Sequence, residues 1–589
     1  MKTTRPLSAF LMLTVCTTGL PSYGQQPPDV VQSDKYSNTA MGSDALSSIT
    51  VSNPDSVASS NTAAGRQALQ HDTIGSFNSA FGLSALQSNT IGGSNTGLGA
   101  GALEANTTGV NNMACGDVAL TRNTTGSYNT ACGSSALLNN STGDRNTALG
   151  FSSLWANTTG GYNTALGFQT LSGNTTGSGN TVSGYTSLLS NTTGSNNTAS
   201  GMAALACNVS GSYNTAAGAN ALSSGTIVLA PEPFPTCNNV IANSDGNTAT
   251  GAEALARNTS GSYSTAAGAF SLYSNTTGAD NSASGAYALY ANTTGADNVA
   301  GGYQSLNSNT TGTDNTASGA ESLFANTTGD NNTAAGFDSL YSNTTGASNT
   351  ATGHHSLTAN TTGYHNTADG AQALFANTTG ASNTAFGLDS LFSNTTGSGN
   401  IAVGNDAGYN LTTGSNDIDI GSKGSAGESG TIRIGTAGTH NATYIAGINT
   451  AHVTGAAVVI TASGQLGVLA SSERYKTAIA PIGATSAKLQ QLRPVSFHLK
   501  TEPQGAVQYG LIAEEVSAIY PDLVIRDEAG VIEGIRYDEL APLLLSEVQQ
   551  QRRELQTLQQ QIADMKEANA ATQLALRKIQ ATDPVAARE

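Results

Sequence analysis

Asn146-Thr147-Ala148-Leu149-Gly150-Phe151-Ser152-Ser153-Leu154-Trp155-Ala156-Asn157-Thr158-Thr159-Gly160-Gly161-Tyr162 is one copy of a unit that recurs every 17 residues. Its core pattern, N-T-A-x-G-x-x-A-L with small variations, begins at Asn61, Asn78, Asn95, Asn112, Asn129, Asn146, Asn163, Asn180, Asn197 and Asn214. After an insertion over residues 223–246 the register resumes at Asn247 and runs through Ser264, Asn281, Asn298, Asn315, Asn332, Asn349, Asn366, Asn383 and Asn400. A copy at Asn38 precedes the series, and Asp417-Ile418-Asp419-Ile420-Gly421 reads as a degenerate last turn. Self-similarity at a fixed short period marks a solenoid, in which each unit stacks only on its neighbours.

Each unit offers two short extended pieces, such as Asn146–Leu149 and Leu154–Asn157, with Gly150 and Gly160 freeing the backbone to turn. Seventeen residues leave little room for a helix with its connections, and the Asn-Thr-Thr-Gly run favours turns and strands. One β coil per unit is therefore expected, with Ala and Leu rows forming a thin core and Asn and Thr rows forming ladders. About twenty coils at ~4.8 Å each predict a rod of roughly 100 Å. So little apolar content per coil predicts that three such sheets pack about one axis. That packing would bury the leucine row and Trp155, Tyr273, Tyr290, Phe324, Tyr341, Phe375 and Phe392. The alternative leaves these aromatics outside a monomeric solenoid. Over residues 38–421 the unit resembles the head repeats of trimeric bacterial adhesins, although the unit here is longer. The resemblance implies a parallel β-roll trimer and an attachment role.

Composition agrees with a repetitive body. Of 589 residues, 68 are glycine and only 10% are charged, with a formal net charge of -17. No lysine occurs between Lys35 and Lys423, and that span holds only Arg66, Arg122, Arg145 and Arg257. Nucleic acid and anionic membranes are thus excluded as expected partners of the body. No cofactor and no metal site is expected. Asp280, Asp297 and Asp314 stack at the repeat period but lack the G-G-x-G-x-D calcium motif. His354, His355 and His365 lie in neighbouring coils without a cysteine or carboxylate at ligand spacing.

The chain starts Met1-Lys2-Thr3-Thr4-Arg5, continues apolar from Leu7 to about Leu20, and reaches Ser22-Tyr23-Gly24 before Gln25. This reads as an export signal cut after Gly24, and the apolar run falls short of the ~20 residues of a membrane span. A secreted, extracellular or cell-surface location is expected, with no membrane span in the mature chain. Four cysteines then remain: Cys115, Cys132, Cys207 and Cys237. Sequence does not fix their pairing. Cys207 and Cys237 bracket the insertion, which favours a bond between them that pins it.

Beyond Ala470 lysine, arginine and glutamate return, in an ordered set of motifs: Ser471-Ser472-Glu473-Arg474-Tyr475-Lys476, Leu492–Phe497, Tyr509–Val516, Tyr520–Val524 and Ile535–Leu540. From Leu544 apolar residues follow at spacings of three and four. Val548, Leu555, Ile562 and Leu576 form one row, and Leu544, Leu558, Met565 and Ile579 the other. Asn569 falls in the first row, and the seam is narrow, as in a coiled coil.

This order resembles the intramolecular chaperone auto-processing domain at the end of phage endosialidases and tail spikes and in the myelin regulatory factor, over about residues 470–565. The resemblance implies a trimer. It also implies a serine peptidase that cuts only itself, between Ala470 and Ser471, with Ser471 as nucleophile and Lys476 as its base. Arg474 is a supporting charge, and Ser472, standing where the family often has Asp, is the fallback nucleophile. A Ser-Lys pair is chemically sufficient when burial or nearby positive charge favours neutral lysine.

The expected organisation is a signal peptide (1–24), a lead-in (25–60), a β-solenoid (61–421), closing strands and connector (422–470), an α+β chaperone domain (471–543), a trimeric coiled coil (544–580) and a tail (581–589). The expected fold is mostly β. The expected function is a secreted trimeric, adhesin-like fibre whose chaperone drives trimerisation and then cleaves itself off. A prophage tail fibre or tailspike, or an ice- or glycan-binding repeat protein, are the alternatives, and the external ligand has no signature.

Overall fold

The computed structural model describes residues 32–49, 58–225, 227–228, 236–237, 244–446, 458–461, 463–468, 472–527 and 529–582. The export signal, the cut site Ala470–Ser471 and the tail from residue 583 lie outside these residues. The chain divides into two compact units, Met1–Thr443 and Tyr444–Glu589.

The first unit is a parallel β-solenoid of about 21 turns with the expected 17-residue coil. Each coil contributes one three-residue strand, and strands stack in register: Thr147, Ala148 and Leu149 lie against Thr164, Ala165 and Leu166 of the next coil. The middle residue points inward, and Ala148, Ala165 and their equivalents are buried. The second piece, expected to be extended, is instead a turn of alternating hand. Gly150, Ser152 and Leu154 have φ of 135°, 52° and 52°. Leucine in a left-handed conformation costs on the order of 1–2 kcal/mol. Two returns offset this cost. The leucine side chain turns into the core, where it is fully buried, and its N–H donates to Thr170 of the next coil at 3.0 Å. Gly150 is required for a different reason. A Cβ added there would sit 2.3 Å from the Gly167 carbonyl oxygen.

The leucine row is therefore buried within a single chain, against the expectation that three chains would be needed to cover it. A coil only 17 residues round leaves room inside for little more than Ala and Leu, so those side chains fill it. The seven aromatics named above are not enclosed with them. They lie half-buried on the coil surface, and six of them stack coil upon coil, as in Tyr273–Tyr290, Phe324–Tyr341 and Phe375–Phe392 with ring centroids 5.2, 5.0 and 5.2 Å apart.

Two buried asparagine ladders fix the register. In the first, the Asn146 side-chain oxygen accepts from the Asn163 backbone N–H at 3.0 Å, while Asn146 Nδ2 donates to the Gly160 carbonyl at 2.8 Å. In the second, Asn157 Nδ2 donates to Asn140 Oδ1 at 2.7 Å and to Gly160 at 2.9 Å. Each amide thus satisfies buried groups on two coils. Threonine adds an outer ladder, with Thr158 Oγ1 donating to the Thr175 carbonyl at 3.0 Å.

The insertion leaves the stack intact. Strand Thr215–Ala217 pairs directly with Thr248–Thr250 across it, and the Cys207–Cys237 disulfide is formed, with Cα atoms 5.5 Å apart. Ser244 occupies a position filled by glycine in regular coils, and its hydroxyl accepts from Asn258 Nδ2 at 2.8 Å.

At its carboxy-terminal end the in–out pattern decays. Strands Ile401–Val403, Ile418–Ile420 and Ile432–Ile434 align Ala402, Asp419 and Arg433 at the middle position, where Ala402 and Asp419 are buried and Arg433 is exposed. Outward, isoleucine and valine replace the usual Thr and small residues, and Ile401, Val403, Ile420, Ile432 and Ile434 are exposed. Thr443–Ala446, expected to be strand, is irregular and exposed, and Gly447 lies outside the described residues.

Among the described residues the second unit has three two-stranded antiparallel pairs, Val458–Ile460 with Leu466–Val468, Val495–Phe497 with Gln508–Gly510, and Val524–Arg526 with Ile532–Ile535. Helix α1 spans Ala513–Ile519 and α2 spans Tyr537–Thr582, 46 residues long. Its small core joins Val516, Tyr520, Leu523, Val524 and Leu540. The two heptad rows lie along α2 as expected, and in the single chain their apolar members are exposed.

Candidate functional site

The site expected from sequence lies at the start of the second unit's folded segment. Glu473–Tyr475 forms one 3-10 turn, closed by the Tyr475 N–H donating to Ser472 and the Lys476 N–H to Glu473, both at 3.0 Å. Ser472 precedes the turn in extended conformation (φ −69°, ψ 142°) and is exposed. Arg474 stacks its guanidinium over the Tyr475 ring, 4.6 Å from the centroid, so its charge sits on an aromatic face. Lys476 is also exposed. Ser471 lies outside the described residues.

The rest of the segment is held by its own contacts. The Arg493 guanidinium grips Glu515 with two bonds, 2.5 and 3.2 Å. The bond holds the Glu515 carboxyl below its usual range and raises Arg493. Tyr520 donates to the Thr485 carbonyl at 2.7 Å, and the Tyr537 hydroxyl accepts the Leu511 N–H at 2.8 Å. Burial pushes the Tyr520 phenol up, and nearby Glu547 adds to this. Glu547 itself is buried, accepting from Gln490 Nε2 at 2.9 Å.

Residues singled out in the rod fall elsewhere. Asp280, Asp297 and Asp314 are exposed and take left-handed turn positions, with φ of 56–57°. Asp has an ordinary role there, since its short side chain tolerates that conformation. His354 and His355 pack edge to face, ring centroids 3.9 Å apart, whereas His365 lies against Tyr364. His355 Nδ1 is 3.5 Å from Asp338, a carboxylate that the sequence reading missed. It sits one 17-residue period back, which is the signal that finds it.

Three carboxylates of the rod, Asp72 and the Asp417 and Asp419 of the degenerate last turn, are buried. Asp72 stands at the head of the second asparagine ladder and accepts from Asn89 Nδ2 at 3.0 Å. Burial pushes it up to about 7. Asp417 ends the first ladder, accepting the Thr431 N–H at 2.9 Å, and burial raises it. Asp419, on the inward row, is pushed up to about 6, by burial first and by Glu428 and Asp417 in addition. Glu428 binds Arg433 on the exposed rim, which keeps the glutamate low.

A single-chain parallel solenoid followed by a small α+β segment and a long helix with an uncovered apolar seam defines a fibre-type protein. Residues 471–525 match the family described as chaperone of endosialidase. That family is the self-cleaving chaperone type and implies trimer formation. The matched segment starts at the serine predicted to be the nucleophile, includes Lys476, and stops before the Ile535–Leu540 motif and the heptad rows. No curated protein matches the chain. Together the chaperone segment and the rod fit a trimeric fibre or tailspike-like protein. Among the described residues no helix is long and apolar enough to cross a membrane.

Proposed function

We propose that this chain is the subunit of an exported trimeric fibre whose carboxy-terminal segment aligns three rods and then cuts itself away between Ala470 and Ser471. The observation that carries the reading is the chaperone match beginning at residue 471. The apolar seam of α2 supports it. Leu555, Leu558, Ile562 and Met565 leave roughly half their surface in water in one chain, and a three-helix coiled coil would cover them. The isoleucine rows at the rod's end offer a second surface for the same assembly.

The rod explains why such a device is needed. Identical coils pair as well one unit out of step as in step, so three growing rods need an external setting of register. A clamp at the carboxy terminus supplies it, and removing the clamp afterwards leaves the assembled rod kinetically trapped.

In the cleavage step Lys476, neutral, takes the proton from Ser471 Oγ. The oxygen attacks the Ala470 carbonyl carbon, and the C–N bond breaks as the Ser471 nitrogen collects a proton. The result is an ester of Ala470 on Ser471 Oγ. Water then hydrolyses it, leaving the Ala470 carboxylate and restoring the serine. Lysine is neutral only where burial or positive charge favours that form. Lys476 is exposed in one chain, so the reading requires assembly to enclose it, with Arg474 close by as the supporting charge.

The test compares wild type with Ser471→Ala and Lys476→Ala on denaturing gels. Wild type yields the fragment 471–589 and both variants stay whole. An intact wild-type chain removes the peptidase, and a cut Ser471→Ala chain transfers the nucleophile to Ser472.

A further inference from the structure

The rod's outward strand position carries an unusual pair. Strands Met113–Cys115 and Thr130–Cys132 are parallel neighbours, and their register sets Cys115 directly opposite Cys132. These are the free cysteines among the described residues, and each is partly exposed. Their row continues as Leu98 before and Leu149 after, so two thiols face each other within an otherwise apolar strip. The side chains touch. Burial raises the Cys132 thiol, and the Cys115 side chain, within hydrogen-bonding reach, raises it further.

We propose that Cys115 and Cys132 form a second disulfide, a staple between consecutive coils of the same chain. Parallel neighbours hold facing residues about 4.8 Å apart. A disulfide needs Cα atoms roughly 4.4–6.8 Å apart, so the coils need not move to accept the bond. The register supplies the rest, because both side chains leave the same face of the sheet at the same level. The oxidant is a small-molecule or protein disulfide. The thiolate of one cysteine attacks it, a mixed disulfide forms and one thiol leaves. The second cysteine then attacks the mixed disulfide and expels the other thiol. Two cysteine protons end on the two thiols of the reduced oxidant. The staple acts where a solenoid is weakest, against two coils peeling apart, because each coil is held only by its neighbours.

The tryptic map separates this bond from the one already present. Arg66, Arg122 and Arg145 are consecutive cleavage points, so Cys115 falls in peptide 67–122 and Cys132 in peptide 123–145. Cys207 and Cys237 fall together between Arg145 and Arg257 and serve as an internal control. The full-length protein is treated with oxidised glutathione at mildly alkaline pH, alkylated, digested without reduction and weighed. A 1:1 mixture with isotopically heavy chain is run in parallel, as is the urea-unfolded protein.

The expected product is a linked pair of the two peptides, light with light and heavy with heavy. Its yield from folded protein should be about tenfold above that from unfolded chain, since the fold holds the thiols together. Cys115→Ser and Cys132→Ser each abolish the linked pair and leave the Cys207–Cys237 peptide unchanged. Complete alkylation of both thiols after oxidation, crossed light–heavy pairs, or equal yields from folded and unfolded chains would each overturn the proposal.

Discussion

The rod and the carboxy-terminal unit solve burial in opposite ways. In the rod, Leu154 and its equivalents are sealed inside one chain, and backbone and asparagine groups find partners one coil away. Among the described residues of the second unit the buried hydrophobic core has five members, and a 46-residue helix leaves its apolar rows in water. A coil thus buries its apolar row once its neighbour is present, whereas the helix leaves its apolar rows uncovered in one chain. The rod's last strands lie between these cases. There a carboxylate, Asp419, takes the inward position of alanine, and isoleucines stand exposed on the outward rows. Self-sufficiency leaves the rod stable without specifying its register against other copies. In the function proposed above, the uncovered seam of the second unit is what specifies it.

The sharpest way to break this contrast is to spoil one coil contact. Gly150→Ala puts a methyl group 2.3 Å from the Gly167 carbonyl oxygen at a φ of 135°, and backbone, not a pliable side chain, stands in the way. Local stability should fall by about 5 kcal/mol, at the upper end for single substitutions. Native-state hydrogen exchange should show the loss in the adjoining coils and not at the rod's ends. A loss spread along the whole rod would mean that the coils are not independent.

A smaller effect, of opposite sign, is expected at the head of the second ladder. Asp72 is buried and its folded value, about 7, lies above the 3.8 of an ordinary aspartate. The folded state therefore binds the proton more tightly than the unfolded state. Its stability contribution is full below about pH 4 and is lost as pH rises to about 7. Asp72→Asn, which installs the ladder's own residue, should stabilise the first coils by about 3 kcal/mol at about pH 8 and change little at about pH 4. Equal effects at both pH values would remove the buried charge as the cause.

Below this stands Asn146→Ala. It orphans the buried Asn163 N–H and takes one donor from the Gly160 carbonyl. The expected loss is about 2 kcal/mol, read as faster exchange at the Asn163 amide.

The period, the inward Ala and Leu rows, the ladders and the Cys207–Cys237 bond were legible because each repeats or brackets something countable. What the sequence hid was conformation. A left-handed Leu154 has no signature of its own, since its backbone is set by bonds to the next coil and not by local propensity. The three-chain burial of leucine fails for a related reason: apolar content per coil does not reveal that the coil closes on its own leucine. Asp419 stands at an alanine position, and its burial depends on the stack and not on the motif. Of the candidate site the sequence carries only the order of residues: Glu473–Tyr475 form an exposed 3-10 turn next to Lys476, whereas a pairing of Ser471 with Lys476 is a relation in space that spacing along the chain does not carry.

The smallest effect on the single chain should come from the surface that matters most to the assembly. Ile562 sits mid-helix in the heptad row and is 47% exposed. Ile562→Ser removes no contact made within the chain, so α2 should keep its helicity and local stability should shift by less than about 0.5 kcal/mol. Sedimentation should nevertheless show the trimer dissociating at concentrations where wild type stays whole, because one polar residue then enters the seam of all three helices. In the cleavage-blocked Ser471→Ala background the two readouts separate cleanly, since the helix cannot be lost by proteolysis. Unchanged association would place the trimer contact elsewhere, with the isoleucine rows at 401–434 as the next surface to alter. A large loss of helicity would instead mean that Ile562 is packed within its own chain, and the contrast between the two units would fall with it.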